Sequence, residues 1–110
     1  MGGFVKGDVV VAPFPFSDLS SSKRRPSLVV AQLEGDDLVL SQITGKKRSD
    51  RYAISLDPKD FSSGKLRVPS LIRPNRLFTA DARVVLYKAG SVTAEKMQEV
   101  TAGVIEILEA

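Results

Sequence analysis

The chain has 110 residues, 43% of them hydrophobic and 26% charged, with a formal net charge of +3. That is enough chain for one modest core, so a single folded domain spanning residues 1–110 is expected. Cysteine and histidine are both absent, which excludes disulfides, thiolate or imidazole metal sites, and cysteine or serine catalytic triads.

The segment Met1–Lys6 lacks the apolar stretch of a signal peptide, and no apolar run nears the roughly 20 residues that span a bilayer. A cytoplasmic protein without a membrane partner is therefore expected. Val9-Val10-Val11 reads as a short buried strand, ended by Pro13 and Pro15, which cannot donate to a ladder. Phe16 to Lys23 is small and polar and reads as a mobile loop. The cations Lys23, Arg24 and Arg25 then run into Pro26 and an apolar strand from Ser27 to Leu33. This arrangement pins a guanidinium to the lip of a sheet.

Glu34-Gly35-Asp36-Asp37 reads as a turn, and Leu38 to Ile43 as a third strand that closes a hairpin. Lys46-Lys47-Arg48-Ser49-Asp50-Arg51 is a charged loop, which either tracks phosphates or is a solvated turn. Tyr52 to Leu56 alternates as a fourth strand. Asp57 caps a helical turn with Pro58 at its first position, and Ser62-Ser63-Gly64 reverses the chain. Leu66 to Ile72 and Leu77 to Thr79 read as further strands, and Val84 to Tyr87 as a continuation of the sheet. After Gly90 the apolar period changes. Met97, Val100, Thr101, Val104, Ile107 and Leu108 share one face of a helix over 94–109, with Thr93 as its N-cap. Many short strands followed by one helix predict a mainly β fold, a small closed barrel with a C-terminal α-helix packed on it.

Charge is concentrated in the middle of the chain. Residues 23–76 hold twelve Lys and Arg against six Asp and Glu, and both flanks are net negative. A polyanionic partner suits that distribution. The acids are scattered at turns, and neither a phosphate-cradling Gly-x-x-x-x-Gly-Lys loop nor Gly-x-Gly-x-x-Gly occurs. Any chemistry falls to arginine, lysine, hydroxyls and backbone groups, with no metal and no cofactor. Cleavage of RNA fits that inventory, because its 2′-hydroxyl is a nucleophile already in the substrate.

Four segments, taken in order, resemble the MazF/PemK family of toxin endoribonucleases over nearly the whole chain. They are Lys6-Gly7-Asp8-Val9-Val10-Val11-Ala12-Pro13-Phe14-Pro15-Phe16, then Arg25-Pro26, then Ser41-Gln42-Ile43-Thr44, and last Pro69-Ser70-Leu71-Ile72-Arg73-Pro74-Asn75-Arg76-Leu77-Phe78-Thr79-Ala80-Asp81. The resemblance implies an SH3-like (CcdB/PemK-type) β-barrel and the toxin component of a type II toxin–antitoxin system. It implies metal-independent, sequence-selective cleavage of single-stranded RNA such as mRNA. Its implied partners are a second copy, in a homodimer, and a cognate antitoxin with an acidic or amphipathic disordered tail.

Two active-site positions of the family match: its arginine before proline is Arg25, and its threonine at the end of the third strand is Thr44. In the family they lie at one end of the barrel on adjacent strands. The loop opened by Phe16, Ser17 and Asp18 lies beside the RNA groove in the family. Phe16 either stacks on a base or, with Phe14, caps the core. Lys23, Arg24, Lys46, Lys47 and Arg48 are the candidate phosphate contacts. Arg73 and Arg76 fall where other members carry Gln, Glu or Lys, and they are candidate RNA contacts, one of them expected to face the groove. Better-known members have Gly-x-Glu-Gln before the arginine, whereas this chain has Ser20-Ser21-Ser22-Lys23. The competing readings are a non-catalytic RNA- or protein-binding module on the same barrel, and a gyrase poison, whose C-terminal tryptophan this chain lacks.

Overall fold

A computed structural model describes residues 3–13, 24–45 and 50–110. Its strands are β1 (Asp8–Pro13), β2 (Arg24–Gln32), β3 (Asp37–Gly45), β4 (Ile54–Leu56), β5 (Phe61–Gly64), β6 (Ser70–Asp81) and β7 (Tyr87–Val92), followed by the helix α1 (Ala94–Glu109). The strands form one sheet in the order β4-β6-β3-β2-β1-β7-β5, each pair antiparallel. The sheet curls into a half-barrel. β4 and β5 stand at its edges, and no ladder joins them among the described residues. The barrel expected from the many short strands is therefore open rather than closed.

Strand alternation sorts the side chains onto two faces. Val9, Leu28, Ile43 and Ile72 turn to one face and pack with Leu56, Val92 and the α1 residues Met97 and Val100. Val10, Val29, Leu38 and Leu40 turn to the other and pack against Ala82. Thr93 caps α1 as expected, its hydroxyl accepting from the Lys96 N–H at 3.2 Å. The predicted apolar face of α1 is buried only near its start. Leu108, on that face near the C-terminal end, is 74% exposed. Lys96, unassigned by the apolar pattern, is buried and donates to the Ser55 carbonyl at 2.9 Å and to Glu99 at 2.8 Å. It ties the helix to edge strand β4.

Four further expectations change. Tyr52 lies in a turn stapled by its own N–H to Asp50 Oδ1 at 2.9 Å, so β4 is only Ile54–Leu56. Ser62 to Gly64 is not a reversal but part of β5, pressed so close to β7 that a Cβ on Gly64 (φ +71°) would overlap the Ala89 carbonyl. The strands expected at Leu66–Ile72 and Leu77–Thr79 are one 12-residue strand, β6, that begins only at Ser70 and runs through Pro74. Likewise Ala82–Val84 is a short 3-10 turn capped by Asp81, and the sheet resumes at Tyr87.

Candidate active site

Arg25 lies at the start of β2, and Thr44 lies near the end of β3. These strands pair with Ser27 opposite Gln42 and Leu28 opposite Ser41. The same register, continued two residues past Ser27, sets Arg25 across from Thr44. On the other side of β3, β6 sets Arg73 opposite Gln42 and Leu71 opposite Thr44. Directly opposed residues share a face. Arg25, Ser27, Gln42, Thr44 and Arg73 therefore all stand on the face turned away from α1, since the intervening Leu28, Ile43 and Ile72 fill the core beneath the helix. Arg25 and Thr44 are both half-buried, and the Arg25 Nε atom is enclosed.

Arg76 reaches this face by a bulge. The β3–β6 register jumps from Ser41 opposite Leu77 to Gln42 opposite Arg73, so Pro74, Asn75 and Arg76 have no partner residues across the ladder. Proline suits that position because no ladder N–H is required there. The Ser41 hydroxyl donates to the Arg73 carbonyl at 2.7 Å and anchors the near end of the bulge. Pro74 is fully buried beneath α1, where Gly103 leaves it room. A Cβ on Gly103 would sit 3.6 Å from Pro74 Cγ and 3.2 Å from Ile54 Cδ1.

Gln42, 6% exposed, joins the cations. Its Oε1 accepts from Arg76 Nε at 3.3 Å and, more weakly, from Arg73 Nη1 at 3.5 Å. Arg73 Nε also donates to Asp50 Oδ2 at 2.9 Å in an ion pair whose side chains are 11% and 7% exposed. Asp50 is held below the usual carboxylate range. The Tyr52 backbone N–H is the largest cause; burial opposes it, and the Arg73 guanidinium and the Asn75 side chain add to it.

Of the residues singled out in the sequence, Arg25, Thr44, Arg73 and Arg76 gather on one face. Arg24 does not join them. Neighbours on a strand point to opposite faces, and Arg24 lines a separate groove of about 530 Å³ with Lys65, Arg67 and Lys88 over Pro26 and Tyr87. Phe16, Ser17, Asp18, Lys23, Lys46, Lys47 and Arg48 lie outside the described residues. Sequence reasoning gave no role to Gln42 or Asp50, the two groups that fix the arginines. The available signal was a lone amide inside the apolar run Leu38–Ile43. Chemically, the face gathers guanidinium and hydroxyl donors at one end of the sheet, which suits a phosphodiester.

The sequence matches the family model of the PemK-like, MazF-like toxins of type II toxin–antitoxin systems over residues 5–108. No curated protein matches it. Among solved structures, it is similar to an endoribonuclease in complex with its cognate antitoxin from a mycobacterial species, at 15% identity and a TM-score of 0.76, covering 97% of this chain and 96% of that one. It is also similar to MazF from Deinococcus radiodurans, at 17% identity and a TM-score of 0.75 over 97% of each chain. A third is the Mycobacterium tuberculosis toxin MazF-mt6, at 14% identity and a TM-score of 0.72 over 93% of this chain and 96% of that one. At such identities these likenesses establish the fold.

Proposed function

This chain belongs to the PemK-like, MazF-like toxins of type II toxin–antitoxin systems, and on that premise we propose that it is an endoribonuclease that cleaves single-stranded RNA within short sequence motifs, without a metal ion. The observation that carries this reading is the β2–β3–β6 register, Ser27 opposite Gln42 and Gln42 opposite Arg73, which by strand alternation puts Arg25 and Thr44 on that same face one row further along. The 2′-oxygen attacks the adjacent phosphorus as the bond from phosphorus to the 5′-oxygen breaks. The products are a 2′,3′-cyclic phosphate and a 5′-hydroxyl end. The proton lost from the 2′-hydroxyl passes to solvent, and the departing 5′-oxygen takes one from solvent. Arg25 stabilises the extra negative charge of the phosphorane. It does not act as a base, because a guanidinium holds its proton at any ordinary pH. The Thr44 hydroxyl donates to a non-bridging oxygen.

Metal independence is supported by the donor set. The chain has no histidine or cysteine, and among the described residues no three acids gather into a metal-binding cluster. The working unit in this reading is a homodimer, neutralised by a cognate antitoxin with an acidic or amphipathic tail. The structures of an endoribonuclease and of Deinococcus radiodurans MazF, each bound to its antitoxin, support that partner. Among the described residues no helix is long and apolar enough to cross a membrane; with RNA as substrate, the cytoplasm is the proposed location. The test is incubation of the purified protein with long RNA in EDTA, followed by mapping of the ends. Cuts at recurring motifs with cyclic phosphate ends are expected. Activity that vanishes in chelator and returns with magnesium would overturn the mechanism.

A further inference from the structure

Two arginines converge on one buried, uncharged amide. Arg76 and Arg73 both donate to Gln42 Oε1, which brings the two donor nitrogens within about 7 Å of each other. Like charges at that spacing repel, the more so beside a low-dielectric core. Gln42 contributes no charge to offset this, and Asp50 engages Arg73. The neighbouring strand positions Leu40 and Ile43 carry the apolar side chains that a sheet built only for stability would use. A polar group that gathers like charges is a local cost, and such costs collect where a ligand is bound.

We infer that Gln42 is a positioning residue: it holds Arg73 and Arg76 as a paired-guanidinium site for a second phosphate of the bound strand, one ladder row from Arg25 and Thr44. Two residues along a strand is roughly 6–7 Å, the step between one row and the next on the same face. The cleaved phosphate then faces Arg25 and Thr44, while its neighbour along the strand faces Arg76, with Arg73 behind it. The Ser41 anchor and Pro74, wedged under α1 at Gly103, make the site rigid, so binding orders little and the strand is held in register for attack. The inference rests on the ribonuclease reading for the identity of the strand as RNA, but not for the presence of the anion site.

The test separates the two. Binding of a fluorescent 2′-deoxy oligonucleotide of about 12 nucleotides, a length within usual single-strand site sizes, is followed by anisotropy over a salt series. This probe lacks the nucleophile and is not cut. Gln42→Glu sets a carboxylate between the two arginines and should fold as well as the parent, since it gains two ion pairs. It should raise Kd about tenfold and flatten the slope of log affinity against log salt by roughly 0.7 to 1. Gln42→Met, which removes the acceptor without adding charge, should raise KM for RNA several-fold and leave kcat within about threefold. Arg76→Gln, on the bulge, should reproduce the loss of affinity if the Glu variant folds poorly.

Unchanged Kd and salt slope in both Gln42→Glu and Arg76→Gln would overturn the site, even with RNA cleavage intact. A parent protein that never cuts RNA but loses oligonucleotide affinity in both variants would sink the ribonuclease reading and leave the anion site standing.

Discussion

Asp50→Asn should lower stability and raise oligonucleotide affinity. Asp50 and Arg73 form an ion pair with an N–O separation of 2.9 Å, and both side chains are largely shielded from solvent. Removing one member of a buried pair costs about 3–5 kcal/mol. Asparagine keeps an acceptor for the Tyr52 N–H and for Arg73, so about 2 kcal/mol is expected for Asp50→Asn and about 3 for Asp50→Ala. For a domain of this size the alanine variant should melt roughly 12 °C lower, at about 4 °C per kcal/mol.

The effect on binding runs the other way. Removing the carboxylate unmasks a cation on the face that carries Arg25 and Thr44. A unit charge about 7 Å away contributes between about 0.6 and 2.4 kcal/mol across effective dielectrics of 80 to 20, or roughly threefold to fiftyfold in affinity at low salt. Circular dichroism melts and anisotropy titrations on the same samples read both quantities. A variant that loses stability and affinity together would refute the reasoning, for then Asp50 orients Arg73 rather than masking its charge.

The same pair sets a pH response. The carboxyl of Asp50 is depressed by its donors in the folded chain. Its contribution is therefore complete above the unfolded carboxylate value near 3.8, and is lost as pH falls through the lower folded value. Denaturation midpoints of parent and Asp50→Asn should separate above about pH 5 and draw together as pH falls below the unfolded value of 3.8.

Arg25→Ala should cut RNA cleavage by about two to three orders of magnitude, the usual loss for one fixed donor to a developing anion, with little change in melting temperature. Arg25→Lys should also be poor, since an ammonium does not replace a planar fork; near-parent rates in either would end the assignment. Replacing Lys46, Lys47 and Arg48 together with alanine should raise KM, leave kcat nearly unchanged and flatten the salt dependence of RNA binding, whereas an unaltered slope would mark that loop as merely solvated. In solution the chain should run as a homodimer near twice 11.9 kDa, and an acidic antitoxin peptide should compete with RNA. A monomer by light scattering at micromolar concentration, or a peptide that binds without displacing RNA, would break those two expectations separately.

What the sequence disclosed followed from local physics. Val9 to Val11 and Leu38 to Ile43 are apolar runs bounded by proline or by Gly35, so β1 and β3 were legible. α1 was legible because its apolar period changes after Gly90 and Thr93 stands at the cap. β6 was not, because Pro74 and Asn75 inside a strand carry the signature of a turn. The register jump that leaves Pro74 without a ladder partner, and the room under Gly103 some thirty residues later in the chain, make a proline acceptable there.

The face taken by Arg24 was not legible for a related reason. With the strand taken to start at Ser27, the cations before it lay in a loop where side-chain direction is not fixed. With β2 starting at Arg24, alternation sends Arg24 and Arg25 to opposite faces. Gln42 shows the limit most sharply. Its partners Arg73 and Arg76 lie 31 and 34 residues away, and the contact depends on a bulge that no pairwise spacing encodes. A lone amide in an apolar strand marks a polar requirement but not the group that requires it. Here that group is a pair of guanidiniums, and their shared acceptor ties the rim of the sheet to the phosphate chemistry proposed for it.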